Sequence, residues 1–199
     1  MSYECIKVTK QNHVTSVLLN RPDALNAITP EMHHELQDAF DVFSKDENEF
    51  VAVIRGAGDR AFCAGSDLKT IAAGGFKAYP KSGYAGLIER FDLNKPLIAA
   101  VDGFALGGGF EVALACDIIV ATHRSSFGLP EPLVGAVALG GGIHRLARQI
   151  GLKQAMGMVL TADRVSANEG FRMGFVNQVV DTDALDKTVD EVCEKILRC

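Results

Sequence analysis

The sequence lacks the features that mark disulfide-bonded, nucleic-acid-binding and membrane-spanning proteins. Its five cysteines are odd in number and form no CxxC pair, which argues against a disulfide framework and against a zinc site. No run of five basic residues occurs and the formal net charge is -5, which disfavours a nucleic-acid partner. The one long apolar stretch, 104–121, contains Glu111, Asp117 and three consecutive glycines, so it is a poor membrane span.

A secretory signal is also missing from the first ten residues, which carry charge and no long apolar segment. Reduced thiols in a cytoplasmic protein are the simplest interpretation of the cysteines. The histidines, among them His33, fit no metal-ligand spacing, and we predict no metal site. With 48% apolar and 23% charged residues over 199 positions, the chain has the balance of one ordinary globular domain, 1–199.

Strand-like and helix-like segments alternate along the chain, which predicts an α/β fold. A polar turn at 10–13 separates the first two strands. Thr29 and Pro30 mark the cap and first position of a helix that runs to about Lys45. Ser166 and Glu169 have the spacing of a capping box. The predicted strands are 3–8, 14–19, 50–54, 97–101 and 118–121, and the later helices are 166–174 and 182–197.

The densest signal for chemistry is the glycine run that ends at Glu111, where a buried strand leads through Gly107, Gly108 and Gly109 into a helix. Glycines let a ligand approach the backbone closely, and the amides at a helix start favour an anion such as a phosphate or an oxyanion. Glu111 lies in the first helical turn, close to whatever Gly108 binds. The alternative is that its carboxylate only complements the helix dipole.

Two further segments carry candidate groups. The segment 61–69 offers the backbone N–H of Ser66 at the opening of a helix. We disfavour Ser66 as a nucleophile, since no sequence cue supplies a histidine or the strained elbow of a hydrolase. In the segment 127–132, Glu131 stands between Pro130 and Pro132, and this stiff backbone suits a positioned acid or base. A surface turn is the competing interpretation of this segment.

Together these segments resemble the enoyl-CoA hydratase/isomerase (crotonase) family. The resemblance covers nearly the whole chain, and the combination of motifs in this order is highly specific. Within the family, the run 83–120 and the FGLPE stretch most resemble the carnitinyl-CoA dehydratases. The matching stretches are NRPDALNAI (20–28), AFCAGSDLK (61–69), KPLIAAVDGFALGGGFEVALACDIIVA (95–121), FGLPEPLVG (127–135) and VSANEGFRMGFVNQVV (165–180).

The resemblance implies an α/β fold of strand-strand-helix units wound into a spiral, and assembly into a homotrimer or homohexamer. It implies that the backbone N–H groups of Ser66 and Gly108 form an oxyanion hole, and that Glu111 and Glu131 are the catalytic carboxylates. CoA would enter as part of the acyl-CoA substrate, so no separate cofactor is expected. The substrate-binding residues that it implies are Ala64, Ser66, Asp67, Leu68, Lys69, Gly107 and Gly108.

The resemblance and the two glutamates indicate an acyl-CoA hydratase or dehydratase, a lyase. Water elimination next to a thioester needs a base for the α-proton and donors for the enolate oxygen. We assign the α-proton to Glu131 and the water to Glu111. A double-bond isomerase, a non-catalytic acyl-CoA binder and, more remotely, a serine hydrolase stay open as alternatives.

Two departures from the family pattern bear on substrate and assembly. The segment 136–140 lacks the proline usual there, next to the acyl pocket. The chain ends at Cys199, whereas family members continue through several more helices, so we expect C-terminal helices to be missing. The acyl group stays open. A trimethylammonium group would need an aromatic or acidic cage, for which the aromatic candidates are Tyr79, Tyr84 and Phe104.

Three other features have structural interpretations beside functional ones. The segment 74–83 is a surface loop, either a mobile lid or a plain solvated connection. Asp117 directly follows the Glu111 helix and is expected to serve as a structural cap partner. Arg145 and Arg148 follow the second glycine run. We favour a subunit interface for them over a CoA phosphate or solvent.

Overall fold

The computed structural model describes residues 3–75 and 78–199. The strands are β1 (Ile6–Gln11), β2 (Val14–Leu19), β3 (Val51–Gly56), β4 (Ala61–Cys63), β5 (Leu97–Val101), β6 (Phe104–Leu106), β7 (Ile118–Thr122), β8 (Ser126–Gly128), β9 (Val165–Ser166) and β10 (Gln178–Val180). The helices are α1 (Pro30–Lys45), α2 (Leu68–Ala72), α3 (Gly108–Ala115), α4 (Gly142–Ile150), α5 (Leu152–Thr161), α6 (Ala167–Met173) and α7 (Leu185–Leu197). No helix within these described ranges is long and apolar enough to cross a membrane.

Strands β3 to β8 alternate between two sheets, which confirms the predicted α/β spiral. The large sheet has the order β1-β2-β3-β5-β7-β10, and the small sheet has the order β4-β6-β8-β9. In each turn of the spiral one strand joins the large sheet and the next joins the small sheet, as β3 and β4, β5 and β6, and β7 and β8 do. A helix follows the second strand each time, directly for α2 and α3, so the unit is strand-strand-helix.

The core lies on both faces of the large sheet. Successive side chains of a strand point to opposite faces, and β3 shows this alternation clearly. Ala52 and Ile54 join the main cluster between the sheets, while Val51 and Val53 face a second cluster. Helix α7 covers that second face with an apolar stripe that includes Val189.

Several local predictions are confirmed at their boundaries. The side chain of Thr29 accepts a hydrogen bond from the Met32 amide, and α1 spans Pro30 to Lys45 as predicted. Ser166 and Glu169 form both hydrogen bonds of a capping box at α6. These ends are fixed by a residue's own neighbours, which is why sequence alone locates them.

Several boundaries were wrong: β1 runs to Gln11 and not to residue 8, and β3 spans Val51–Gly56 and not 50–54. Strand β1 begins at Ile6, not at residue 3, because the amides of Glu4 and Cys5 donate to the carboxylate of Glu35 at 2.7 and 2.9 Å instead of pairing with β2. The last helix begins at Leu185, since 182–184 form a separate 3₁₀ turn.

The predicted surface loop 74–83 is only partly described, since residues 76 and 77 lie outside the described ranges. Its final part is packed rather than solvated. Ser82 is buried, and its amide donates to the Gln37 side chain of α1 at 2.9 Å. The remaining interpretation, a lid, stays a prediction.

Candidate active site

The carboxyl ends of three parallel strands bring the candidate groups together. In the small sheet β4 pairs with β6, and β6 pairs with β8, all in parallel. Ser66 follows β4, Gly108 follows β6, and Glu131 follows β8. Because parallel strands end at the same edge, three motifs that are distant in sequence meet at one place.

Two backbone amides lie free at this edge. Gly65 lets the segment that carries Ser66 pack closely against the segment that carries Gly108. An added Cβ at Gly65 would lie 2.9 Å from the Leu106 carbonyl oxygen and 3.1 Å from the Gly108 nitrogen. Among the hydrogen bonds of the described residues, neither the Ser66 amide nor the Gly108 amide donates to a carbonyl. Two N–H groups without a carbonyl partner, on segments that pack against each other, are suited to a developing oxyanion.

The Glu111 carboxylate is buried, with 4% of the residue exposed. Its Oε1 accepts a hydrogen bond from the Gly142 amide at 2.9 Å, and the Gly140 amide donates as well. Burial raises the pKa of Glu111 to about 7, and the negative charge of Glu131 acts in the same direction. The two amides and Arg145 oppose this rise but do not cancel it. Glu111 is therefore poised to hold or release a proton near neutral pH.

The Glu131 carboxylate lies against the glycine run. An added Cβ at Gly107 would lie 3.3 Å from Glu131 Oε1, and the φ of 54° at Gly107 is in the left-handed region that favours glycine. Oε2 of Glu131 is buried, and no group in the described part of the chain hydrogen-bonds to it. Burial raises the pKa of this carboxyl group too. A buried carboxylate oxygen without a hydrogen-bond partner is available to a substrate proton.

The second glycine run is a part of the site that sequence reasoning missed. Gly140 and Gly142 supply the amides that hold Glu111, and an added Cβ at Gly140 would collide with Glu111 Oε2. The signal was present, since Gly140-Gly141-Gly142 precedes α4 just as the first run precedes α3. The second run differs from the first in that no glutamate follows it within one helical turn.

The predicted CoA-contacting residues lie along one segment beside these amides. Ala64 and Ser66 are half-buried, while Leu68 and Lys69 are exposed at the start of α2. Asp67 caps α2 through the Thr70 amide and forms an ion pair with Arg21 at 3.0 Å. Asp67 thus has a structural role within the chain.

The aromatic candidates divide into two groups. The rings of Tyr79 and Tyr84 lie 5.7 Å apart, and both also contact the ring of His33. Burial raises the pKa of both tyrosines, and the charge of Glu111 adds to this rise, which places both near the Glu111 carboxylate. Phe104 is not part of this cluster, because its ring packs against the Arg164 guanidinium at 5.5 Å.

Two other candidates are resolved as structural contacts. Asp117 accepts a hydrogen bond at 2.8 Å from the amide of Leu97, the first residue of β5, which agrees with a structural role but not with a cap of the Glu111 helix. The Arg145 side chain turns inward and donates to the Ile88 carbonyl at 2.6 Å, an intramolecular contact that the sequence did not predict. In the part of the chain that the structure describes, no group of three or more His, Cys, Asp or Glu residues is placed to hold a metal ion.

Comparison with known proteins gives a consistent result. Residues 9–199 match the enoyl-CoA hydratase/isomerase family. The chain is 41% identical over 195 residues to a carnitinyl-CoA dehydratase of Proteus mirabilis (strain HI4320), covering 97% of this chain and 74% of the relative. A carnitinyl-CoA dehydratase of Salmonella typhi is 40% identical over 98% of this chain and 75% of its own length. The chain therefore spans about three quarters of these relatives.

Solved structures agree in fold. A carnitinyl-CoA dehydratase from Mycobacterium avium 104 matches with a TM-score of 0.94 and 37% identity, over 98% of this chain and 77% of that one. An enoyl-CoA hydratase from Mycobacterium tuberculosis H37Rv matches with a TM-score of 0.91 and 38% identity, over 97% and 75% of the two chains. The predicted crotonase-like α/β fold is confirmed.

Proposed function

The chain belongs to the enoyl-CoA hydratase/isomerase family, and we propose that it adds or eliminates water across the C2–C3 bond of an acyl-CoA thioester. The observation that carries this proposal is the meeting of two carboxyl groups, the buried Glu111 and the half-buried Glu131, beside the free amides of Ser66 and Gly108. Two acid-base groups flanking an anion site are what hydration next to a carbonyl requires.

The oxyanion site makes the α-proton removable. When the Cα–H bond breaks, its electron pair moves onto the thioester oxygen and forms an enolate. The Ser66 and Gly108 amides would donate to that oxygen, and they are already positioned before the charge develops. Losing one donor of this kind typically costs about a hundred- to a thousandfold in rate.

The two glutamates divide the proton transfers. In dehydration, the Glu131 carboxylate takes the α-proton, and protonated Glu111 gives its proton to the departing hydroxyl group. The Cβ–O bond breaks, the C2–C3 double bond forms and water leaves. The raised pKa of Glu111, about 7, supports this role because an acid of that pKa is still partly protonated at neutral pH. Hydration runs through the same steps in reverse.

The segment 64–69 is proposed to bind the CoA portion of the substrate. Its exposed end, at Leu68 and Lys69, leaves room for a long ligand arm that leads to the thioester site at Ser66. CoA then arrives as part of the substrate, and the prediction of no separate cofactor stays a prediction.

Carnitinyl-CoA is the acyl-CoA we propose as substrate. The relatives at about 40% identity are carnitinyl-CoA dehydratases. Tyr79 and Tyr84 add an aromatic wall near Glu111, and aromatic faces and carboxylates both attract a trimethylammonium group. The cage is smaller than the sequence suggested, since Phe104 is not part of it.

We also propose a cytoplasmic location and a homotrimer or a pair of trimers. All five cysteines are free thiols, as expected in a reducing compartment. Large apolar side chains are exposed just beyond Glu131, at Leu133, Val134, Val137 and Leu139, and a neighbouring subunit would cover such a surface. Light scattering coupled to size-exclusion chromatography tests the assembly.

Hydration of crotonyl-CoA and crotonobetainyl-CoA, followed by the loss of enoyl absorbance, tests the function. Glu111→Gln and Glu131→Gln should each abolish most of the activity. Glu194→Gln, on the exposed face of α7, is the matched control and should leave it intact. Retained double-bond isomerisation without hydration would favour an isomerase. CoA binding without any turnover would favour a non-catalytic binder.

A further inference from the structure

Tyr84 places a side-chain hydroxyl group between the two residues of the proposed oxyanion hole. The residue is buried, and its hydroxyl oxygen lies 3.1 Å from Ser66 Oγ. On the other side it lies against Gly108, where an added Cβ would collide with the phenol. The hydroxyl group therefore lies beside both residues whose amides form the proposed oxyanion hole.

The backbone around Tyr84 is held in an unusual conformation. Ala85 has a φ of 55°, in the left-handed region that alanine rarely adopts. Its amide donates to His33 Nδ1 at 2.8 Å, which ties the turn to α1. Gly86 lies so close to the Gln37 backbone that no Cβ would fit there. Such a conformation persists only where the surroundings fix it, and it is frequent at functional sites.

The ring of Tyr84 is fixed as well as its backbone. His33 contacts it edge-on with ring centroids 4.5 Å apart, and Tyr79 contacts it at 5.7 Å. Burial lowers the pKa of His33 to about 4, so the imidazole is neutral and Nδ1 can accept the Ala85 amide. Burial also raises the pKa of Tyr84, which keeps the phenol protonated and able to donate. The donor is thus positioned before any ligand binds.

We propose that the Tyr84 hydroxyl group donates a third hydrogen bond to the thioester oxygen, alongside the Ser66 and Gly108 amides. This inference rests on the proposed function. Without substrate the hydroxyl group pairs with Ser66 Oγ, and with substrate it turns to the carbonyl oxygen a short distance away. A phenylalanine would fill nearly the same volume without supplying this donor, so a Tyr84→Phe substitution tests the hydroxyl group alone.

Tyr84→Phe tests the proposal with two readouts. We expect kcat to fall about ten- to a hundredfold with KM little changed, as for the loss of a hydrogen bond to a developing charge. Acetoacetyl-CoA reports the same contact without turnover, because its enolate absorbs in the ultraviolet and forms only where the oxyanion is stabilised. The enolate band should weaken in the variant at saturating ligand.

Tyr3→Phe is the matched control, since it removes a tyrosine hydroxyl group bound to Asp38 at 2.7 Å, far from the site. It should leave both readouts unchanged. Ser66→Ala removes the hydroxyl partner of Tyr84 but keeps the amide, and its loss should be smaller than that of Tyr84→Phe. Thermal unfolding of each variant separates a loss of fold from a loss of the contact.

The outcomes distinguish the two proposals. An unchanged kcat and enolate band in a folded Tyr84→Phe protein would overturn the third donor while the hydratase function stands. Equal losses in Ser66→Ala and Tyr84→Phe would also overturn it, because Tyr84 would then act only through Ser66. A wild-type protein that neither hydrates enoyl-CoA nor forms the enolate band would overturn both proposals.

Discussion

Replacing Glu111 with glutamine should change both the activity and the pH dependence of stability. Glutamine keeps the size of the side chain and an oxygen for the Gly142 amide, which now donates to Oε1 at 2.9 Å. It cannot carry a proton to or from water, and loss of a general acid-base group typically costs about a hundred- to ten-thousandfold in rate. A fall in kcat of that size is expected.

The stability effect follows from the pKa of Glu111, which burial raises from 4.5 to about 7. The folded state therefore holds this proton more tightly than the unfolded state does. The free energy of unfolding falls as the pH rises from about 4.5 to about 7 and is level above that range. Each pKa unit corresponds to about 1.4 kcal/mol, so this one carboxyl group costs the fold about 3 kcal/mol at high pH.

Urea unfolding at about pH 5 and about pH 8 measures this term. Between about pH 5 and about pH 8, the free energy of unfolding should fall by about 2.5 kcal/mol more in the wild type than in Glu111→Gln. Burial lowers the pKa of His33 from 6.5 to about 4, so this histidine lowers the free energy of unfolding as the pH falls below 6.5. The effect is the same in both proteins and cancels in the comparison. Glu194→Gln serves as the control because that side chain is exposed.

The comparison is between the pH dependences of the two proteins, since the contact of the glutamine NH2 group with the Gly140 amide adds a cost that does not change with pH. A parallel pair of pH profiles would refute the reasoning, because Glu111 would then titrate alike in the folded and unfolded chains. Unchanged turnover would refute its assignment to the chemistry.

Other substitutions test single contacts. Gly108→Ala forces a Cβ onto the Tyr84 hydroxyl group, and we expect steady-state kinetics to show at least about a tenfold loss of kcat, as for Tyr84→Phe. Asp117→Ala leaves the Leu97 amide without its acceptor and should lower the unfolding free energy by about 1 kcal/mol, measured in urea. Ser166→Ala removes the capping box of α6 and should cost about 1 kcal/mol in the same assay.

The second and third of these variants should keep wild-type kcat, because neither residue borders the site. A large loss of activity in Asp117→Ala would mean that Asp117 does more than hold the Leu97 amide. Full activity in Gly108→Ala would mean that the Tyr84 hydroxyl group moves away without consequence, and it would count against the third donor.

The sequence determined the features that depend on near neighbours. Thr29 with Pro30, and Ser166 with Glu169, set helix starts through hydrogen bonds within one turn, so their positions were predictable. Both glutamates were also selected from sequence, Glu111 by its place one turn after a glycine run. The family resemblance supplied the fold and the pairing of these motifs.

Tertiary structure decided what depends on distant partners. The Glu35 carboxylate accepts hydrogen bonds from the amides of Glu4 and Cys5, so β1 begins only at Ile6. No local sequence pattern reveals this contact. The Gly142 amide reaches Glu111 from 31 residues away, and Tyr84 reaches Ser66 across 18. Pairing of β4, β6 and β8 sets these distances. Sequence alone therefore selected the two candidate acid-base groups, while packing sets the pKa of each carboxyl group and the hydrogen-bond donors around it.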